Sequence, residues 1–440
     1  MEDFFPIQDL PEMSSYGAKD SLVIFGEVFE NGYINGLITE AKKLNMKVIY
    51  ATVGRRDENN QLRPLTPQEI SDKAQSPLIN VPLEAGFDLE KNKNTNMSMV
   101  DYISEAKLKT WSEAKFPWDI IEENKQQGRQ RFLGQVKQYF IKLNDLLPKE
   151  GNILFAHTMA GGIPRQKLVL SLMNKILKGT GDRYNSSEIF SQSELGKLCL
   201  DSFNEVTGET LKVLINESAT LRDELAQQNR SINYIAYGYH GTEINIGSKY
   251  TWYSYTPYLQ GHAKIYLENI AKEAQAKDNV HCTVYNVPEI LTNSSGIFQG
   301  IELAMYPLLE SLYKKRDESN DLKNLFKELQ SKLKEGVKIE DTFAIANDYF
   351  SLKDIMQPLI FKNWPQENNK VQMGIMKEYS QKIVSLHESP KEIIIAPISE
   401  VILRACGKII LHSSQNNSHH MQWIGHQVIL KSELKDIGES

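Results

Sequence analysis

The chain has 440 residues, 41% hydrophobic and 24% charged, with a formal net charge of −6. That balance supplies a full core and excludes wholesale disorder, repetitive architecture and a dedicated nucleic-acid binder, whose footprint would be basic. No run approaches the roughly 18 apolar residues of a membrane span, and the start, Met-Glu-Asp-Phe-Phe-Pro, lacks the basic region of a secretory signal. Cys199, Cys282 and Cys406 are odd in number and widely spaced, which fits reduced thiols and a cytoplasmic location.

In chain order, the first apolar run is Leu22–Phe25, a buried strand by its continuous β-branched and aliphatic character. A polar turn from Gly26 to Gly32 follows, then Ile34, Leu37, Ile38, Ala41 and Leu44 at helical spacing. Val48–Val53 is the next strand, so the chain opens with a βαβ unit and a parallel sheet. Leu78–Val81 reads as a strand, while residues 92–130 show no clear pattern. Phe132, Val136, Phe140, Leu143 and Leu147 mark an amphipathic helix leading into strand Asn152–Ala156, and a helix is expected from Pro164 to Leu177. Strand Ile232–Ala236, helix 262–276, strand His281–Val287 and helix 296–315 complete the series.

The order predicts an α/β fold, a Rossmann-like doubly wound parallel sheet with insertions and a mostly helical C-terminal cap. Residues 1–315 would form the NAD(P)-binding catalytic domain and 316–440 a helical extension. The apolar runs Ile393–Ala396 and Ile409–Leu411 are candidates for a final strand. His412, His419, His420 and His426 lack zinc-ligand spacing and read as a solvated tail, so no metal site is expected.

Four segments carry candidate chemistry. The turn after the first strand aims backbone N–H groups and a positive helix end at one point, an arrangement suited to pyrophosphate; Gly26 and Gly32 are its candidates, with Glu30 where a middle glycine would stand. Arg55 and Arg56 end the second strand, where the adenosine ribose would lie. Arginine there suits a 2′-phosphate, so NADP(H) is favoured and NAD(H) stays open. Ala160 and Gly161 follow the strand at 152–156, small residues that let backbone approach a ribose, and Arg165 ends the same segment as a further cofactor-binding candidate. Finally, Tyr239 and Tyr255 precede Lys264 at the start of a helix. A tyrosine donating to an oxygen that gains charge, with a lysine beside it, suits carbonyl or enone reduction. The pair Tyr258-x3-His262 has the spacing of a Tyr-x3-Lys dyad, but neutral histidine brings no lasting charge.

Tyr255-x8-Lys264, with Gly261 and Ala263 between, resembles the Tyr-x5-Gly-x-Ala-Lys active-site pattern of FabV-type trans-2-enoyl-CoA/enoyl-ACP reductases of the short-chain dehydrogenase/reductase superfamily. Tyr239-His-Gly241, Thr292-Asn-Ser-Ser295-Gly-Ile297 and Met159–Arg165 are similar to further motifs of that family, in the same order over residues 20–310. The resemblance implies an NAD(P)H-dependent oxidoreductase acting on 2-enoyl thioesters of CoA or ACP in fatty-acid metabolism, as monomer or homodimer. Tyr255 and Tyr239 would stabilise the substrate oxygen. Lys264 would bind the cofactor, and Thr292 and Ser295 would approach its pyrophosphate. Ile297, Phe298, Leu303, Met305 and Tyr306 are candidates for an acyl pocket. The chain departs from the pattern at Glu30, Asn31 and Arg55. A carbonyl or 3-oxoacyl reductase, or a non-catalytic dinucleotide-binding protein in which Glu30 repels pyrophosphate, are the alternatives.

Overall fold

A computed structural model of the chain describes residues 6–92, 94–106, 110–160, 187–247, 249–254, 259–278, 280–292, 300–357, 369–390 and 392–438. Its strands are β1 (Pro6–Ile7), β2 (Ser21–Phe25), β3 (Lys47–Thr52), β4 (Arg55–Arg56), β5 (Leu62–Arg63), β6 (Leu78–Pro82), β7 (Ile153–His157), β8 (Ile232–Tyr237), β9 (Thr242–Ile246), β10 (Lys249–Tyr253), β11 (Cys282–Asn286) and β12 (Met421–Ile424). Eight of them form one parallel sheet in the order β1-β12-β11-β8-β7-β2-β3-β6. The chain winds outward from β2 through β3 to β6, then returns to β7 and winds the other way. The reversal between β2 and β7 opens a crevice beyond the carboxyl ends of these strands.

Strands β2, β7 and β11 are buried at every position, which is why Leu22–Phe25 and Ile153–Ala156 read as apolar runs, while β11 buries Thr283 and Asn286 among its apolar residues. Alternate residues feed two cores. Val23, Phe25, Ile49, Ala51 and Phe155 pack with α2 (Trp118–Leu146), α4 (Thr210–Glu217) and α5 (Leu259–Asp278). Leu22, Ile24, Val48, Tyr50 and Leu154 pack on the opposite face with α1 (Ile34–Lys43), α3 (Glu194–Asn204), α6 (Ala396–Ser414) and the helices between residues 306 and 385. Helices α3 and α4 form one rod, interrupted by a π-turn at Glu205–Glu209.

Helices α1 and α6 cross at two glycines. A Cβ on Gly36 would lie 1.9 Å from the carbonyl oxygen of Leu403, and one on Gly407 2.1 Å from the carbonyl carbon of Gly36. Both clashes are with backbone, so neither helix accepts even alanine at this crossing.

Three expectations change. The runs at 393–396 and 409–411 do not add a strand, because Ile398, Ile402, Ala405 and Ile409 lie on α6. That helix is buried around most of its circumference, and such a helix shows the same dense apolar composition as a buried strand. The added strand is β12, with β1 from the other end of the chain beside it. His412, His420 and His426 belong to no solvated tail: all three are buried. Helix α2 starts at Trp118, inside the stretch that sequence could not place. The helix expected at 164–177 lies outside the described residues. Among those described, no helix is long and apolar enough to cross a membrane.

Candidate active site

The turn after β2 is built on Gly26, whose φ of +127° lies in the region that favours glycine; a Cβ there would meet Thr158 Oγ1 at 2.5 Å. This brings the ends of β2 and β7 together, where Thr158 N and Oγ1 both donate to the Phe25 carbonyl at 2.9 and 3.3 Å. Asn35 then gathers the turn, its Nδ2 donating to the carbonyls of Phe29, Glu30 and Gly32 at 2.7, 2.8 and 2.9 Å. The turn's carbonyls are thereby engaged, while no side chain caps the N-terminus of α1. Gly32 sits in this turn as expected. Glu30 is exposed, so its carboxylate is hydrated. These features fit an anionic cofactor group at the turn.

The neighbouring carboxylate, Glu27, is buried and fully engaged. Arg55 Nη2 and Lys73 Nζ donate to its Oε1 at 3.0 and 2.6 Å, while Thr52 Oγ1 and the Val53 amide donate to Oε2, each at 3.2 Å. Burial pushes this carboxyl up, but the hydrogen bonds from Arg55 and Lys73 outweigh it and hold it down at about 2. Arg56 pairs with Glu84, which also faces Arg131. This corrects the reading of Arg55 and Arg56 as two cations awaiting a 2′-phosphate: each already has a carboxylate, placed by β4 and by the ends of β2 and β6. Glu27, Val53, Leu83, Glu84, Thr158, Met159 and Ala160 line an open crevice at the reversal between β2 and β7. Its position and mixed lining suit an adenosine and ribose.

On the other side of β7 the loop after β8 is pinned to β11. A Cβ on Gly238 would lie 2.2 Å from Asn286 Oδ1, and that oxygen accepts from the His240 amide at 2.8 Å. Asn286 Nδ2 donates to Glu268 Oε1 at 3.0 Å, and His240 Nδ1 lies 3.3 Å from Glu268 Oε2. This fixes Tyr239, whose hydroxyl donates to Glu289 Oε1 at 2.5 Å. Burial pushes the Glu289 carboxyl up to about 8, with the Tyr239 hydrogen bond opposing. Tyr33, at the start of α1, donates to the Pro288 carbonyl and stacks on Tyr237 with ring centroids 5.8 Å apart. The Tyr237 hydroxyl has no hydrogen-bond partner among the described residues.

Lys264 lies on the first turns of α5, its Nζ donating to the Tyr237 carbonyl at 2.7 Å; burial lowers it to about 8, with Glu268 opposing. His157, at the end of β7, is buried, and its Nε2 lies 2.8 Å from Thr210 Oγ1 just beyond the π-turn. Burial first, and the nearby Lys264 charge second, lower this imidazole to about 3, so it is neutral.

Of the residues singled out from sequence, Gly26, Gly32, Arg55, Ala160, Tyr239, Lys264 and Thr292 all sit at the carboxyl end of the sheet. Gly161, Arg165, Tyr255 and Ser295 lie outside the described residues, as do Tyr258, Ile297 and Phe298. Leu303, Met305 and Tyr306 are buried in the core beside the C-terminal helices. Glu27, Tyr33, Tyr237 and Glu289 were not anticipated. Two left a signal: Glu27 directly follows the glycine of the turn, and Glu289 is the lone acid in Val284–Leu291.

Comparison with known proteins adds an independent line. A family model described as enoyl-acyl carrier protein reductase FabMG matches residues 3–433. The chain is similar to the apo structure of FabMG, a novel type of enoyl-acyl carrier protein reductase, at 40% identity over 100% of both chains with a TM-score of 0.92. It is also similar to an NADH-bound FabMG structure, at 35% identity over 98% of this chain and 99% of that one, with a TM-score of 0.73. The FabI–NADH complex from Alistipes finegoldii matches at 11% identity over 66% of this chain and 73% of that one, with a TM-score of 0.30. No curated protein gives a match.

Proposed function

Because the chain belongs to the FabMG family of enoyl-acyl carrier protein reductases, we propose that it reduces the double bond of a trans-2-enoyl thioester, carried on acyl carrier protein, with NADH. The observation that carries this reading is the family match over residues 3–433, laid on a parallel sheet whose crevice suits a dinucleotide.

When bound, a dihydronicotinamide would supply a hydride for the β-carbon of the substrate. Negative charge then develops on the thioester oxygen, and a proton at the α-carbon completes the saturated product. The protein's task is to hold the partners together and to donate to that oxygen. The Tyr-x8-Lys spacing shared with FabV-type reductases supports Tyr255 as the main donor and Lys264 as its neighbour. Tyr239, fixed by the loop after β8, is the second donor. Thr158, Ala160 and the turn from Gly26 to Gly32 would hold the cofactor, with Thr292, Ser295 and Arg165 completing its site.

Two observations favour NADH over NADPH. The NADH-bound relative matches 98% of the chain, and Glu27 occupies Arg55, the residue otherwise suited to a 2′-phosphate. The test is consumption of NADH and of NADPH with crotonyl- and octenoyl-ACP. Turnover with NADH, and little with NADPH, is expected. A protein that binds NADH yet turns over no enoyl thioester would overturn the reading.

A further inference from the structure

Glu289 is a carboxyl group 6% exposed, three residues beyond β11, with no lysine, arginine or histidine paired to it among the described residues. The groups around it are phenols. Tyr239 reaches it from the loop after β8, while Tyr33 from α1 and Tyr253 from the end of β10 are close enough to feel its charge. Cys406 from α6 adjoins Tyr33 and Tyr237, and Lys264 holds the Tyr237 carbonyl. Burial raises Tyr33, Tyr253 and Cys406 above their ordinary ranges, so these stay neutral at working pH.

A buried carboxyl without a cation keeps its proton. The protonation state then decides which way the 2.5 Å contact to Tyr239 runs. An ionised Glu289 can only accept, so it captures the phenol proton and turns it from the substrate. A protonated Glu289 can donate to the phenol oxygen instead, which leaves the phenol proton free to point elsewhere.

We propose that Glu289 is a positioning residue that acts through Tyr239: as a carboxylic acid it donates to the Tyr239 oxygen and so presents the Tyr239 proton to the thioester oxygen of the substrate. This rests on the enoyl-reductase reading. It places a group that sequence comparison with FabV-type motifs does not supply into the donor network, and it gives that network its own pH limit. Ionisation of Glu289 switches the second donor off, so kcat falls on the alkaline side near pH 8. Lys264 is also lowered to about 8, and the test must separate the two.

The experiment measures kcat and KM for NADH-dependent reduction of crotonyl-ACP from pH 6 to about 10 in the full chain and in Glu289→Gln, Glu289→Ala and Tyr239→Phe, with NADH binding followed by fluorescence. Glu289→Ala is expected to lose roughly 10–100-fold in kcat with NADH affinity unchanged. Glu289→Gln, whose amide donates at every pH, is expected to recover much of that loss and to lose the alkaline limb near pH 8. Adding Glu289→Ala to Tyr239→Phe is expected to cost nothing more. An alkaline limb retained in Glu289→Gln belongs to Lys264 and overturns the proposal, as does an Ala variant with wild-type kcat. Failure of the unmodified protein to reduce any enoyl thioester would instead overturn the proposed function.

Discussion

Replacing Glu27 with glutamine tests the cofactor side of the site. The substitution keeps the shape and the acceptor for the Thr52 hydroxyl and Val53 amide but removes the charge that holds Arg55 at 3.0 Å and Lys73 at 2.6 Å. The gap between the ordinary 4.5 and about 2 converts, at about 1.4 kcal/mol per pH unit, to about 3 kcal/mol. Arg55 is 39% exposed, so solvent screening reduces this to about 2 kcal/mol. A carboxyl lowered by folding stabilises above its unfolded pKa and loses that contribution as pH falls. The difference between wild type and Glu27→Gln should therefore be full above pH 4.5 and vanish near pH 2. At this chain length about 2 kcal/mol corresponds to a fall in Tm of roughly 2 °C at pH 7, within reach of scanning calorimetry. The functional consequence is larger. A released Arg55 can make a charge-assisted bond to a 2′-phosphate, worth about 1.5–3 kcal/mol, so NADPH should gain about tenfold or more over NADH. Titration calorimetry with both cofactors gives the ratio directly. A lowered Tm with an unchanged NADPH/NADH ratio would refute the assignment of Glu27 and Arg55 to the adenosine ribose.

Lys264→Met should separate stability from activity. Because folding lowers this lysine to about 8, the wild-type fold gains stability as pH rises from about 8 to 10.5, and the variant should be flat there. At pH 7 Lys264→Met is expected to be more stable by about 1–3 kcal/mol and to lose turnover; a destabilised variant would argue against an unfavourably buried charge. His157, held near 3 against an ordinary 6.5, predicts a decline in stability as pH falls from 6.5 toward 3, reaching several kcal/mol, seen as a falling Tm that His157→Gln flattens. Gly36→Ala should cost about 3 kcal/mol, or the soluble fold itself, because its methyl would meet the Leu403 carbonyl; denaturation matching wild type would contradict the α1–α6 crossing.

The parallel sheet was legible because its central strands are buried on both faces and must be apolar throughout. Leu22–Phe25 shows this directly, and Ile232–Ala236 nearly so, its one polar residue, Asn233, donating to the Ser414 carbonyl. Helix α6 was misread for the same reason: a helix buried nearly all round loses the period that would distinguish it from a strand. Helix α2 was half legible, since its first turns, around Trp118–Lys125, mix polar and apolar residues without a clear stripe. At the site, the positions of Gly26 and Lys264 could be read because backbone geometry and motif spacing are local. The roles of Arg55 and Arg56 could not, because the carboxylates that claim them, Glu27 and Glu84, are each 28 residues away in sequence. Residue type records a charge, while its partner is set by how strands end side by side. Glu289 escaped notice likewise: its meaning depends on Tyr239, 50 positions earlier.

The seams joining the two ends of the chain bear on how this molecule is made. Pro6 pairs with Trp423, Ser14 meets His412, and α1 seats its Gly36 on Gly407 of α6. Closing a loop of about 400 residues costs roughly 5 kcal/mol in chain entropy before any contact repays it. On a translating ribosome the opening βαβ unit would wait about 20–80 s for α6 to emerge, with the apolar face of α1 uncovered. Because α1, which follows the turn proposed to hold the cofactor, seats on α6, a nascent or C-terminally truncated chain should be captured by chaperones rather than by NADH.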